Sequence, residues 1–306
     1  METEIAQDAT ESVAKVSVLT LFLLVSAVAS GVLSFLFHSS SFNIACALRV
    51  ISLTLGSLAW LRLLNSVSIF FPKALAVPIH WVHAIAFEIL SFAAVTLLRL
   101  AAFFYRFDRP IATSGKRPIL LIHGYINTAS VWVYIRWKLA KAGLGPIYAL
   151  DLKNPFGSIE DHAKKVKLAI EAIQKQTGRS DIAIVGHSMG GLVARYYRRT
   201  FANEDGVAPL ITIASPLRGT VLARIALGMN GRQMEYNSRW LDAFNQKQES
   251  LENVFSIATK TDQIVIPYRS AIVTSDPSHS CVFEDIGHAS LLFSPRTADM
   301  LQKWLK

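Results

Sequence analysis

Cysteine is nearly absent from this chain of 306 residues, which contains only Cys46 and Cys281. Two thiols so far apart in sequence establish neither a disulfide framework nor a metal site, and they leave the redox compartment open. The sequence also lacks the spacing of zinc ligands, a helix-turn-helix signal and a platform of interleaved aromatic and basic residues. We therefore expect no metal and no nucleic-acid partner.

Charge is scarce in the first third of the chain. Only five basic and five acidic residues precede Arg106, so the whole net charge of +9 belongs to residues 106–306. An excess of this kind is most simply a solvated basic surface. Attraction to an anionic membrane face is the functional alternative, since each basic residue near such a surface gains roughly 1 kcal/mol. The composition predicts an N-terminal membrane region, residues 1–105, followed by a domain of ordinary soluble composition, residues 106–306.

The clearest membrane-spanning candidate is the segment 16–37, which has no charged residue. As a helix rising about 1.5 Å per residue it would cross a hydrocarbon core of about 30 Å. A cleaved signal peptide is the alternative, because residues 27–29 are Ala-Val-Ala. However, Glu2, Glu4 and Asp8 give the N-terminus the wrong sign for a signal peptide. The pattern favours a retained anchor.

Two further apolar stretches follow, at about 42–64 and 84–104. Arg49 interrupts the first, and Glu88 and Arg99 interrupt the second. Ionisable groups at bilayer depth normally face a partner, a wet cavity or the interface. The stretches are therefore either spanning helices with Arg and Glu paired inside a small bundle, or amphipathic helices lying in the interface. Either reading gives about three apolar helices in the membrane region.

The orientation of these helices follows from the basic residues that flank them. Arg106, Arg109, Lys116 and Arg117 crowd the exit of the last apolar stretch, whereas the N-terminus is acidic. This bias predicts an integral membrane protein with an odd number of spans and with residues 106–306 on the cytoplasmic side.

Short apolar runs alternate with helix-like segments in the rest of the chain. The runs predicted as strands are 118–123, 147–150, 181–185, 210–214, 254–258 and 281–283, and the helices between the first of them are 130–142, 159–176 and 192–201. This alternation is typical of a parallel sheet covered on both faces by helices. Such a sheet delivers functional groups at the carboxyl ends of its strands.

A serine lies at one of these strand ends, in Gly186-His187-Ser188-Met189-Gly190. The segment matches G-x-S-x-G, a sharp strand-to-helix turn that holds a serine hydroxyl above the sheet. An apolar strand precedes the motif and a helix follows it, as the motif requires. Ser188 is therefore the predicted nucleophile.

A serine hydroxyl needs a neighbouring base to take its proton. His288 follows the last predicted strand and is the expected base, whereas His279 precedes that strand and is the weaker candidate. His187 lies beside the serine but is expected to point elsewhere, and His80 and His83 lie in apolar membrane material.

The base in turn needs a carboxylate that fixes its tautomer. Asp262 follows the strand at 254–258 and gives the chain order Ser, Asp, His that is expected of such a sheet. Its competitors, Asp276, Glu284 and Asp285, are nearer to His288 in sequence but do not lie on the loop after that strand.

The oxyanion formed during acyl transfer requires preorganised donors. The backbone N–H of Met189, directly after the nucleophile, is one candidate. The N–H of Tyr125, in the loop after His123-Gly124, is the other.

Together these segments resemble the α/β-hydrolase superfamily, and within it the compact bacterial triacylglycerol lipases and esterases. The similar segments are the strand and His-Gly turn at 119–125, the serine motif and helix at 185–196, and Ile-Ala-Ser-Pro-Leu-Arg-Gly-Thr at 213–220. The resemblance implies an α/β fold with a minimal, mostly parallel sheet of about six strands. In a lipase, a lid or an acyl-binding wall would lie where this chain has an insertion at about 217–252, and a simple helical cap packed on the sheet is the alternative.

The leading functional hypothesis is a membrane-anchored carboxylic-ester hydrolase that acts on acyl lipids through a Ser-His-Asp triad and an acyl-enzyme, without a metal or an organic cofactor. An acyltransferase with the same triad and a non-catalytic membrane-anchored scaffold are the alternatives. The acyl-chain length, the head group and the oligomeric state are not readable from the sequence.

Overall fold

A computed structural model of the chain describes residues 79–113, 117–202, 208–246 and 250–306, with side chains from Ala84 onward. The apolar stretches predicted at 16–37 and 42–64 lie outside the described residues. The chain divides into two compact units, and everything from His83 to Lys306 belongs to one of them.

The first described helix, α1, spans Ile79–Ala101. Its most deeply buried residues recur every three or four positions and therefore form one face of the helix; they are Ala84, Glu88, Ser91 and Val95. Its exposed large apolar residues are Phe87, Leu90 and Leu97. Within the described residues, only the segment 84–101 is a helix long and apolar enough to cross a membrane, and 22% of it is buried in the protein.

The centre of the unit is a sheet of six strands. They are β1 (Ile119–Ile122), β2 (Ile147–Leu150), β3 (Ala183–His187), β4 (Leu210–Ile213), β5 (Val254–Thr259) and β6 (Ser280–Phe283). The spatial order is β2-β1-β3-β4-β5-β6, and every neighbouring pair is parallel. The predicted small parallel sheet is confirmed.

Helices connect the strands. They are α2 (Val133–Lys141), α3 (Ile159–Thr177), α4 (Met189–Phe201), α5 (Gly228–Gln233), α6 (Arg239–Gln246) and α7 (Pro295–Leu305). Short 3-10 helices cover Ala129–Trp132, Val221–Ile225, Tyr268–Ala271 and Ser290–Phe293. The helix predicted to begin at residue 192 begins at Met189, so the two glycines of the serine motif form its first turn.

Successive residues of a strand point to opposite sides of the sheet, and in the central strands β1, β3 and β4 the residues on both sides are buried. Ile119 and Leu121 pack into a core that α2 and α7 cover. Leu120 and Ile122 pack into a second core under α3 and α4. This double burial explains why the strands read as continuous apolar runs.

The strand order reverses direction beside β1. The chain passes from β1 to β2 on one side and then returns to β3 on the other. In open parallel sheets the crevice at such a reversal, beyond the carboxyl ends of the strands, is where ligands bind. The loop after β1 and the turn after β3, which carries Ser188, flank this crevice.

Candidate active site

Ser188 is the single residue between β3 and α4. Its backbone has φ 54° and ψ −128°, a conformation that is rare outside glycine. Strain of this kind amounts to roughly 1–3 kcal/mol and concentrates at functional sites. The turn is held by two hydrogen bonds, from the Ser188 N–H to the Ile213 carbonyl at 2.8 Å and from the Gly191 N–H to the Ser188 carbonyl at 3.0 Å.

The glycines around the serine are required by packing. A Cβ on Gly186 would overlap the backbone of Gly190 and Gly191, and a Cβ on Gly190 would overlap the carbonyl of Ile122. The motif therefore lets α4 start directly against the sheet. Its free N-terminal N–H groups, including that of Met189, point toward the serine end of the helix.

Asp262 and His288 form a hydrogen-bonded pair. The His288 Nδ1–H lies 2.9 Å from one carboxylate oxygen of Asp262 and 3.1 Å from the other. Both side chains are buried, at 6% and 1% exposure. Asp262 Oδ1 also accepts the backbone N–H groups of Ile264 and Val265, at 2.8 and 2.7 Å. The carboxylate is thus fixed by its own loop as well as by the histidine.

The environment of His288 favours its protonated form. Burial lowers the pKa of His288, but the charge of Asp262, its hydrogen bond and the charge of Glu88 together outweigh burial, so the pKa is raised above the ordinary value. A base that readily accepts a proton near neutral pH is what nucleophile activation requires.

His187 links the serine turn to the base. Its ring lies 4.7 Å from the ring of His288, centroid to centroid, and its Nε2 is 3.2 Å from the His288 carbonyl oxygen. Burial lowers the pKa of His187 well below its ordinary value, and the positive charge of His288 lowers it further. His187 is therefore neutral, with its proton on Nε2 donated to that carbonyl. The sequence-based expectation that His187 points away missed this supporting role.

The predicted oxyanion loop lies against the nucleophile. A Cβ on Gly124 would lie 2.8 Å from the Cβ of Ser188 and 3.4 Å from its Oγ, so only glycine allows this approach. His123 braces the loop, since its Nδ1 donates to the Gly124 carbonyl at 2.8 Å while its Nε2 accepts the Leu152 N–H at 3.0 Å.

The Tyr125 side chain reaches the insertion. Its hydroxyl donates to the Leu227 carbonyl at 2.8 Å and accepts the Leu227 N–H at 2.9 Å. Its ring meets Phe156 edge to face. The insertion predicted at 217–252 is thereby tied to the oxyanion loop.

A group of exposed apolar side chains lies on and beside this part of the insertion. Phe156 is 44% exposed, and Ile225, Leu227 and Met229 are 61%, 67% and 53% exposed. The insertion itself folds as short helices, the 3-10 helix at Val221–Ile225 followed by α5 and α6.

Thr220, the last residue of the Ser-Pro-Leu-Arg-Gly-Thr segment, holds the loop that carries Asp262. Its buried hydroxyl donates to the Ile264 carbonyl at 2.6 Å and accepts the Ile266 N–H at 3.0 Å. The segment therefore helps to hold the loop from which Asp262 contacts His288. Sequence reasoning noted the segment without this role.

Within the described residues, no group of three or more His, Cys, Asp or Glu side chains is arranged to hold a metal ion.

Comparisons with known proteins agree with this architecture. The model of the family described as "PGAP1-like alpha/beta domain" matches residues 154–282, a segment that contains Ser188 and Asp262 and ends before His288. The mature lipase BlEst2 of Bacillus licheniformis superposes with a TM-score of 0.55 at 16% identity, covering 65% of this chain and 95% of the lipase. Lipase B of Aspergillus fumigatus superposes with a TM-score of 0.54 at 18% identity, covering 66% of this chain and 54% of that lipase.

The chain has the α/β-hydrolase fold. In this fold, Ser188, Asp262 and His288 follow β3, β5 and β6, and Tyr125 follows β1. The fold brings Asp262 into contact with His288, places His288 against the residue preceding Ser188, and sets the loop of Tyr125 against Ser188 itself. All these groups lie at the carboxyl edge of the sheet.

Proposed function

We propose that the protein is a serine hydrolase that cleaves carboxylic esters, with Ser188 as nucleophile, His288 as general base and Asp262 as the group that orients the base. The observation that carries the proposal is the buried Asp262–His288 hydrogen bond beside a strained serine turn. A buried carboxylate and imidazole in this relation are the usual means of activating a hydroxyl.

The proposed reaction has two halves. In the first, the Ser188 proton moves to Nε2 of His288 while Oγ attacks the ester carbonyl carbon, and the resulting oxyanion faces the N–H groups of Met189 and Tyr125. His288 then gives the proton to the alcohol oxygen as the ester C–O bond breaks. The alcohol departs, and the acyl group stays on Ser188 Oγ. In the second half, water gives a proton to His288 and attacks the acyl carbon. The bond between Oγ and the acyl carbon then breaks as His288 returns the proton to Ser188 Oγ, which releases the carboxylic acid and restores the enzyme.

We propose acyl lipids as the substrate class. The exposed apolar residues on and beside the insertion, Phe156, Ile225, Leu227 and Met229, provide a surface that suits an acyl chain and that is tied by Tyr125 to the oxyanion loop. The apolar N-terminal region would keep the enzyme at a membrane, where such substrates are concentrated.

We further propose that the enzyme is an integral membrane protein with its catalytic domain on the cytoplasmic side. A reporter fused after Lys306 tests this topology, since activity found only outside the cytoplasm contradicts it.

Alanine variants of two histidines test the proposed triad. His288→Ala should lower kcat for p-nitrophenyl esters by roughly 10⁴-fold or more, because the hydroxyl loses its base. His279→Ala is the matched control, since His279 also pairs with a carboxylate, Asp276 at 3.2 Å, but precedes β6, whereas His288 follows that strand. Equal rates for the two variants would contradict the proposal.

Substrate class is tested by a series of p-nitrophenyl esters of increasing chain length and by phospholipid and acylglycerol micelles. A lipase should prefer long chains and release free fatty acid. Activity limited to acetate esters would contradict the lipid assignment. If a competing alcohol is acylated in preference to water, the enzyme transfers acyl groups and the hydrolytic half of the proposal fails.

A further inference from the structure

Glu88 is a buried carboxyl group on the apolar helix α1, with 3% of its surface exposed. Its hydrogen-bond partners lie about 200 residues later, directly after His288. The Ala289 N–H donates to Oε1 at 2.8 Å. The Ser290 N–H and hydroxyl both donate to Oε2, at 2.9 and 2.7 Å.

Two further contacts fix this arrangement. A Cβ on Gly287 would overlap the carboxyl group of Glu88, so a side chain at position 287 would displace that carboxyl group from its present place. Ser91, one turn further along α1 and 2% exposed, donates from Oγ to the Ser290 Oγ at 3.1 Å. The helix therefore contacts residues 287, 289 and 290, on both sides of His288.

The opposite side of the same loop is held by the sheet. The hydroxyls of Thr259 and Thr261 donate to the Ile286 carbonyl, the second at 2.8 Å. His187 donates to the His288 carbonyl. Glu88 supplies the acceptors on the side of the loop that faces α1. Contacts from α1, from β3 and from the end of β5 therefore hold the backbone before and after His288.

A helix that only packed against the domain or anchored it would need no carboxyl group at this position. Burying a carboxylate is strongly unfavourable unless it is matched by donors. All the donors that Glu88 contacts come from the loop that carries His288. Two of them are backbone N–H groups that would otherwise be buried without an acceptor. The position of the carboxyl group is therefore specific to the loop that carries His288.

We infer that Glu88 is a positioning residue for His288, which makes α1 part of the catalytic apparatus. The inference rests on the proposed function, because it assigns Glu88 its role through the general base. It also accounts for the acidic residue of this largely apolar helix.

The test uses the full-length protein in detergent, with Glu88→Ala and Glu88→Gln compared with wild type. Val95→Ala is the matched control, because Val95 lies on the same buried face but packs against the apolar core. For each variant, kcat and KM for a short p-nitrophenyl ester and the rate of inactivation by a fluorophosphonate are measured across pH, together with the thermal unfolding midpoint.

Glu88→Ala should lower kcat about 10- to 100-fold while KM changes by less than about threefold, since the base is displaced but the ester site is not. Glu88→Gln, which keeps one carbonyl oxygen, should recover part of kcat. The charge of Glu88 raises the pKa of His288, so both variants should shift the acid limb of the pH profile to lower pH. Val95→Ala should lower the unfolding midpoint and leave the pH profile unchanged.

Retention of wild-type kcat and of the wild-type acid limb by both Glu88 variants would overturn the inference. So would losses that match those of Val95→Ala in every measurement. If Glu88→Ala does not fold, the isosteric Gln variant carries the same test. A wild-type protein that neither hydrolyses esters nor reacts with fluorophosphonates contradicts the proposed function itself, whereas an active wild type with unaffected Glu88 variants contradicts only this inference.

Discussion

Replacing Asp262 with asparagine should reverse the tautomer of His288. Asp262 Oδ1 accepts the N–H groups of Ile264 and Val265, so the amide of asparagine must keep its oxygen at that position. Its NH₂ group then replaces Oδ2, which lies 2.9 Å from His288 Nδ1. An NH₂ group donates and cannot accept, so the ring proton has to move from Nδ1 to Nε2.

The consequence is a base that can no longer accept the proton of Ser188. In a serine protease the same change lowers kcat about 10⁴-fold, equivalent to roughly 5.5 kcal/mol of barrier. We expect a loss of that order for p-nitrophenyl ester hydrolysis at neutral pH. The unfolding midpoint should change little, because the two backbone hydrogen bonds to Oδ1 remain.

Asp276→Asn is the matched control, since Asp276 also contacts a histidine, His279, but on an exposed loop. It should leave kcat unchanged. If Asp262→Asn keeps kcat within about tenfold of wild type, Asp262 does not set the tautomer of the base and the reasoning is refuted.

Three other outcomes are expected. The midpoint of the acid limb of kcat/KM should lie above the pKa of a free histidine, about 6.5. The reason is that the pKa of His288 is raised, and activity falls as the pH drops through it. A midpoint below that value argues against His288 as the base. Thr220→Val should lower the free energy of unfolding, measured by urea denaturation, by about 2–4 kcal/mol, because two backbone groups of the Asp262 loop lose their hydrogen-bond partner. Thr220→Ser keeps the hydroxyl and should restore most of the lost stability. Tyr125→Phe removes both hydrogen bonds to Leu227, so a protease should cleave the insertion faster in this variant than in the wild type. Equal cleavage rates would show that the tyrosine hydroxyl does not hold the insertion in place.

The sheet could be predicted from the sequence because its strands are short apolar runs with a turn after each. The runs of β1, β3 and β4 are buried throughout, whereas β6 at the edge is only partly buried. The same logic selects Ser188, Asp262 and His288 as candidates, and the structure places each of them after a strand. The sequence predicts the start of α4 at residue 192, three residues late, because two glycines disfavour a helix. The tight packing of the turn against the sheet overrides that preference.

The long-range partners could not be predicted. The sequence shows that Glu88, an ionisable residue in an apolar stretch, needs a partner. The partner lies about 200 residues away, and its donors are backbone groups of Ala289 and Ser290 that carry no sequence signal. Likewise, the hydroxyl of Tyr125 meets the backbone of Leu227, 102 residues later. Contacts of this kind depend on the completed fold.

The central claim is that Ser188 is a nucleophile activated by the Asp262–His288 pair. Fluorophosphonate labelling of the full-length protein, followed by peptide mass spectrometry, tests it most directly. The account predicts one adduct, on Ser188, that disappears in Ser188→Ala and forms far more slowly in His288→Ala. An adduct on another residue, or a labelling rate independent of His288, would contradict it.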